Sequence, residues 1–123
     1  MHELSIVEAL IEQVEREVHR AGHRGKILCL ELNIGRISGV NCDSVRFAFD
    51  LLAPGSPVEG AKLVIRQSKP ACRCQTCHAL LEIDDIVFKC PNCSSDDIII
   101  EGGRDLLLES IEIEDQQKVE SEE

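Results

Sequence analysis

The chain has almost no aromatic residues. It contains no Trp and no Tyr, and its three Phe are Phe47, Phe49 and Phe88. That scarcity removes the stacking platforms on which single-stranded nucleic acids bind, and it obliges any core to be aliphatic. Positive charge is also short: 13 Lys and Arg stand against 23 Asp and Glu, for a formal net charge of −10. A nucleic-acid backbone would be repelled by that average, so no nucleic-acid partner is expected. A basic protein surface or a cationic cargo suits the chain better. No apolar run approaches the ~20 residues of a membrane span. No basic segment followed by a hydrophobic stretch and a cleavage site opens the sequence. A cytoplasmic protein that keeps residues 1–3 is therefore expected, with no membrane partner. Nor is there a G-x-x-x-x-G-K-[ST] phosphate loop or a nucleophile–base arrangement, so no enzymatic activity is expected.

What is present begins with patterned aliphatics. Apolar residues make up 43% of 123, enough for one compact domain or one domain with a small appendage. Over 4–21, Leu4, Val7, Leu10, Ile11, Val14, Val18 and Ala21 recur at helical steps, and Gly22 is a natural stop. Residues 26–34 alternate as a strand, with Leu28, Leu30, Leu32 and Ile34 on one face. Asn41 suits an N-cap for a helix over 42–52 with an apolar stripe of Val45, Ala48, Phe49 and Leu52, ended by Pro54-Gly55. A second strand follows over 61–67, with Ala61, Leu63 and Ile65 on one face. Residues 98–101 and 106–114 read as further strands around Gly102-Gly103, the last returning to the first sheet. The expected fold is α+β: two helices on a small mixed three-stranded sheet, with an inserted zinc-ribbon-like four-cysteine module. The domain reading is 1–70 plus 98–114 for a discontinuous α/β domain and 71–97 for the module. Residues 115–123 are acidic and read as a disordered tail.

The module contains Cys74-x2-Cys77-x12-Cys90-x2-Cys93. Seven cysteines is an odd number, and four of them in paired Cys-x-x-Cys spacing favour metal binding in a reducing cytosol over a disulfide framework. Each pair can fold as a knuckle, and two knuckles close a tetrahedral site of four thiolates around a structural Zn2+. A redox dithiol and an iron–sulfur cluster are weaker readings. The twelve residues between the pairs suit a hairpin lined by Leu81, Ile83, Ile86, Val87 and Phe88. A module of about 25 residues cannot bury enough surface to fold alone, so the metal supplies its folding energy. Cys72 reads as a loop thiol or a substitute ligand, His78 as a polar loop residue or a further ligand. Cys29 and Cys42 read as packing residues.

Met1-His2-Glu3 offers a second metal chemistry. The Met1 terminal amine, the amides of His2 and Glu3, and the His2 imidazole form a close nitrogen set. Deprotonated amides with an imidazole favour square-planar ions such as Ni(II) or Cu(II). The plainer reading is the first turn of a helix, where Glu3 complements the dipole.

Met-His-Glu-Leu-Ser at the start resembles the HypA/HybF family of hydrogenase nickel-insertion proteins. So do the two Cys-x-x-Cys pairs, Leu32-Asn33-Ile34-Gly35, Ser44-Val45-Arg46-Phe47-Ala48-Phe49 and Ser110-Ile111-Glu112-Ile113-Glu114. The resemblance spans residues 1 to about 114. It implies a nickel metallochaperone that works with a partner GTPase, HypB, and delivers Ni2+ to the hydrogenase large-subunit precursor. It implies that His2 is the essential nickel ligand, with the Met1 amine and Glu3 amide beside it, and that Cys74, Cys77, Cys90 and Cys93 hold zinc. Some members of that family add a His from the zinc module, for which His78 is the candidate here. The rival class is a zinc-ribbon interaction adaptor without metal cargo.

Overall fold

The computed structural model describes residues 2–114, without the His2 side chain. Met1 and the tail expected over 115–123 lie outside the described residues. Eight elements follow in order: α1 (His2–Ala21), β1 (Ile27–Gly35), α2 (Cys42–Leu52), β2 (Lys62–Ser68), β3 (Ala71–Cys74), β4 (Leu80–Glu82), β5 (Ile98–Glu101) and β6 (Leu106–Ile113).

The helix signals act as the sequence implies. α1 ends with the His23 N–H on Val18 O and the Gly22 N–H on His19 O. This paired closure needs a left-handed residue after the last turn, and Gly22 supplies it at φ +76°. α2 starts at Asn41, whose Oδ1 accepts the Ser44 N–H at 2.9 Å, satisfying one of the helix's orphan donors.

Two helices and a three-stranded sheet of order β2-β1-β6 give the expected α+β class. The sheet is mixed. β1 and β2 run parallel: Arg36 N–H donates to Ser68 O at their far ends, while at their starts a Cβ on Gly60 would come within 3.6 Å of the Lys26 side chain. β6 runs antiparallel to β1, pairing Glu114 N–H with Lys26 O at one end and Gly35 N–H with Asp105 O at the other. A second sheet, β4-β3-β5, is antiparallel throughout, with Cys72 opposite Leu81 on one side and Ile100 on the other.

The chain forms two compact units. The first comprises residues 2–32, 41–65 and 108–114; the second comprises Asn33–Val40 and Arg66–Leu107. In the first, Val7, Leu10 and Val14 of α1, Val45, Ala48 and Phe49 of α2, and Leu30 and Leu32 of β1 are buried. Phe49 is the one aromatic among the buried residues, so the core is aliphatic as the composition requires. One expected face is corrected here: Leu28 is 39% exposed and Ile27 is buried in its place. Strand β1 opens Ile-Leu-Cys-Leu, with apolar residues of both parities, so alternation alone could not choose between them.

In the second unit the backbone passes unusually close to itself. A Cβ on Gly35 would lie 2.2 Å from Gly103 O, and one on Gly103 would lie 2.8 Å from Pro70 N. Ile37 N–H donates to Gly103 O and Ile83 N–H to Pro70 O. Arg36 Nε reaches Asp84 O at 2.7 Å, and Lys69 pairs with the Asp84 carboxylate at 2.9 Å. The Lys69 hydrogen bond and its charge hold the Asp84 carboxyl below the ordinary aspartate range.

Candidate metal centre

Both Cys-x-x-Cys pairs fold into the same knuckle. In the first, the N–H groups of Thr76 and Cys77 point at Cys74 Sγ, at 3.3 and 3.4 Å. In the second, those of Asn92 and Cys93 point at Cys90 Sγ, at 3.3 and 3.5 Å. Each turn is closed below by a backbone bond, Cys74 N–H to Ala79 O and Cys90 N–H to Ser95 O. The residue after each second cysteine is left-handed, His78 at φ 65° and Ser94 at φ 66°. The two turns are joined by the Thr76 and Ser95 hydroxyls, 2.9 Å apart. The Asn92 Nδ2 also reaches across from the second knuckle to Cys77 Sγ at 3.5 Å.

This brings Cys74, Cys77, Cys90 and Cys93 together, with all four sulfurs within 4.8 Å of one another. Cys74 Sγ is 3.6 Å from Cys93 Sγ, and Cys77 Sγ is 3.8 Å from Cys90 Sγ. Sulfurs at ~2.3 Å from zinc define a tetrahedron with edges of about 3.8 Å, so the quartet has the size of a zinc site. The electrostatics agree. The sulfur of Cys74 is brought down to about 6, chiefly by the Cys77 N–H and secondarily by that of Thr76. Cys77 is lowered too, first by the Asn92 amide. The Ser95 N–H pulls Cys93 downward, but loss of water and the hydrogen bonds to Cys74, Cys77 and Cys90 outweigh it and push this thiol up to about 12. Four thiols this close cannot all ionise unless a cation sits among them. Among the described residues no other cluster of three or more metal-ligating side chains occurs.

The neighbours of the quartet resolve differently. Cys72 is fully buried on β3 and lies outside the cluster; burial, then the adjacent cysteines, raises its thiol. Buried, protonated sulfur of this kind packs and is unreactive. His78 is also outside the cluster, and its exposed side chain follows from its role as the left-handed closing residue. A non-glycine residue there is strained. His78→Gly is therefore expected to keep full metal content and to raise stability by about 0.5–1 kcal/mol. Chemical denaturation of metal-loaded protein checks this; a variant that loses metal would make His78 a ligand after all. The hairpin expected between the knuckles is also corrected. β4 pairs back onto β3, with the first knuckle as their turn, so residues 83–89 are left outside the ladder. Ile83 is buried, but Ile86 is exposed and Phe88 is 83% exposed.

At the other end of the chain, His2 is the first residue of α1; its side chain and Met1 lie outside the described residues. Glu3 is in the first turn, and its Oε2 accepts the Asn41 N–H at 3.2 Å. The carboxylate thus ties the start of α1 to the cap of α2. Neither Asn41 nor Asn92 stands out as a site residue in the sequence. Asn41 was legible only as a cap, and Asn92 only as the third position of a Cys-x-x-Cys.

Four cysteine sulfurs gathered in this way can hold a metal ion, and the class of protein so far defined is a metal-binding one. Protein comparisons then identify the class as a metal carrier's. A family model described as "Hydrogenase/urease nickel incorporation, metallochaperone, hypA" matches residues 1–113, and the chain belongs to the HypA family. Its relatives include the hydrogenase maturation factors HypA of Chlorobaculum tepidum, 37% identical over 93% of this chain and 100% of that protein, and of Chlorobaculum parvum, 35% identical over the same shares. The solution structure of the Ni metallochaperone HypA from Helicobacter pylori covers 90% of this chain and 96% of its own at 26% identity and a TM-score of 0.63. A second HypA solution structure reaches a TM-score of 0.66 at 27% identity, over 92% of this chain and 96% of its own. The function of the family is nickel incorporation during hydrogenase maturation.

Proposed function

We propose that this protein carries Ni2+ at its N-terminus and hands it to the hydrogenase large-subunit precursor in the cytoplasm, together with the GTPase HypB. The observation that supports this most is the family match beginning at residue 1, which includes Met-His-Glu. In this reading His2 supplies the imidazole, Met1 its terminal amine and Glu3 its main-chain amide. The Glu3 carboxylate, bonded to Asn41, steadies the first turn from which these nitrogens project. Cys74, Cys77, Cys90 and Cys93 hold Zn2+ as structural thiolates, and the ion contributes folding energy to their unit.

The two sites then differ in kind. Four sulfurs on two stiff turns retain their ion, whereas nitrogens at a chain end have few anchors and can give theirs up. Nitrogen donors alone favour Cu2+ over Ni2+, so selectivity comes from copper's scarcity and from partner docking.

The test is a metal count on untagged protein starting at Met1, wild type beside His2→Ala, each equilibrated with Ni2+ and desalted. Wild type is expected to keep one zinc and one nickel, and His2→Ala only the zinc. Nickel binding should also weaken as pH falls from ~7.5 to ~6, because imidazole (~6.5) and terminal amine (~7.7) must both be deprotonated to bind. If neither protein retains nickel, the carrier reading fails and an interaction adaptor takes its place.

A further inference from the structure

The first unit spends apolar surface where a lone domain would not. Phe47 is 67% exposed, Leu51 is 59% exposed and Leu4 is 39% exposed. Phe47 and Leu51 are one helical turn apart on α2, and with Leu4 and Ala48 they line a hollow of about 250 Å3 between the first turn of α1 and the side of α2, bounded by Glu3 and Ser44. Farther along the same pair of helices, a second hollow of about 340 Å3 is lined by Ile11, Leu52 and Ser56, with Glu8 and Glu12. The first hollow is lined mainly by apolar side chains, and every charged residue lining either hollow is a glutamate. Asp43, one turn before Phe47, and Asp50, one residue before Leu51, are exposed on α2. The nearest cation in sequence, Arg46, donates its Nη1 to Leu63 O at 2.9 Å.

We infer that this α1–α2 groove is a docking surface for a foreign, cationic amphipathic helix. Three considerations select that occupant. Two parallel helices leave a groove that a third helix fills by side-chain interdigitation, and such grooves take apolar anchors at i, i+4 and i+7. An exposed Phe beside an exposed Leu has the composition of an interface centre. The glutamate rim selects against acidic occupants: a second copy of this chain, at net charge −10, presents the same rim, and residues 115–123 contain three glutamates and one aspartate against a single lysine. A helix flanked by Lys or Arg gains from the same rim. Glu3 lines the groove and follows His2 directly, so an occupant would lie beside the proposed nickel ligands. That placement alone rests on the nickel reading; the docking surface does not.

The probe is a synthetic helix with leucines at i, i+4 and i+7 and lysines on both flanks, titrated into the 15N-labelled full chain. Its counterpart has glutamates for the lysines. The lysine peptide is expected to bind saturably, to move the amides of Leu4, Phe47 and Leu51 most, and to weaken as salt is raised. Phe47→Ser and Leu51→Ser, both at exposed positions, are each expected to cost about tenfold or more in Kd. Both should keep nickel, while His2→Ala should lose nickel and keep the peptide; failure of one reading is thus visible apart from failure of the other. The inference is overturned by equal binding of the glutamate peptide, by shifts centred elsewhere, by indifference to both serine variants, or by no saturable binding. Concentration-dependent shifts at Phe47 without peptide would assign the groove to a second copy. Shifts there on removing 115–123 would assign it to the tail. Either result also overturns the inference.

Discussion

Cys74→Ala is expected to strip the protein of its structural metal and to dissolve the β4-β3-β5 sheet. Cys74 Sγ accepts two backbone N–H groups and lies 3.6 Å from Cys93 Sγ. Three remaining sulfurs no longer close a tetrahedron, and the metal binding that holds such a module together is worth roughly 10–16 kcal/mol in small zinc modules. Nothing else in the second unit replaces it: β3 has four residues, β4 three and β5 four. The exposed Arg73–Glu101 pair across β3 and β5 is of the kind that contributes little. Metal analysis after desalting should find less than a tenth of the wild-type content, and the amide signals of residues 71–101 should collapse toward random-coil positions. The control is Cys72→Ala, two residues away. It removes a buried thiol outside the cluster and should cost about 1 kcal/mol with metal content unchanged. A Cys74→Ala protein with full metal and a native spectrum would show that the quartet is not the site.

Gly35→Ala should produce the second-largest effect, without touching any metal ligand. The added methyl would sit 2.2 Å from Gly103 O and 2.5 Å from Arg104 N. Both are backbone atoms, so no flexible side-chain end can swing away. Gly103 cannot retreat easily, because it has its own close approach to Pro70 and its O accepts the Ile37 N–H. Overpacking of this kind costs about 3 kcal/mol, equivalent to a fall in Tm of roughly 12 °C for a chain of this size. Gly39→Ala is the contrast. Its φ is +85°, but nothing lies within 4 Å of the added carbon, so only backbone strain of about 1 kcal/mol applies. Calorimetry of metal-loaded variants separates the two. Equal small shifts would mean that the Gly35–Gly103 approach opens at little cost.

The contrast between these two variants marks where the sequence was readable. α2 runs over the residues expected of it, from an Asn41 cap to the Pro54-Gly55 stop, because its signals are local. The quartet was legible for the same reason: each knuckle is a four-residue turn, and spacing alone brings two sulfurs of each pair together. Gly35 reads as turn punctuation, and nothing in its neighbourhood announces that Gly103 will press against it. Phe88 and Ile86 read as a hairpin lining because they are apolar and lie between the knuckles. The pairing of β4 with β3 was hidden in Ala71–Cys74, which reads as the approach to a metal site and forms the central strand of the small sheet. Periodicity leaves Phe47 outside the apolar stripe of α2, and it is exposed there. Only the packed helices turn it, Leu51 and Leu4 into a single apolar lining.

The second unit consists of two stretches, Asn33–Val40 and Arg66–Leu107, and that division has a consequence in time. During synthesis the Gly35 strand end emerges first, and the N–H groups of Gly35 and Ile37 must wait for Asp105 and Gly103 before they are paired. The four cysteines of the quartet, by contrast, lie within Cys74–Cys93 and can close on an ion as soon as Cys93 is free. Metal capture is thus a short-loop event with little closure entropy, and the join to Gly35 is a long-loop event that comes later. A peptide cut to residues 71–97 would bind its metal and remain unfinished, since β5, the strand that pairs along β3, begins at Ile98.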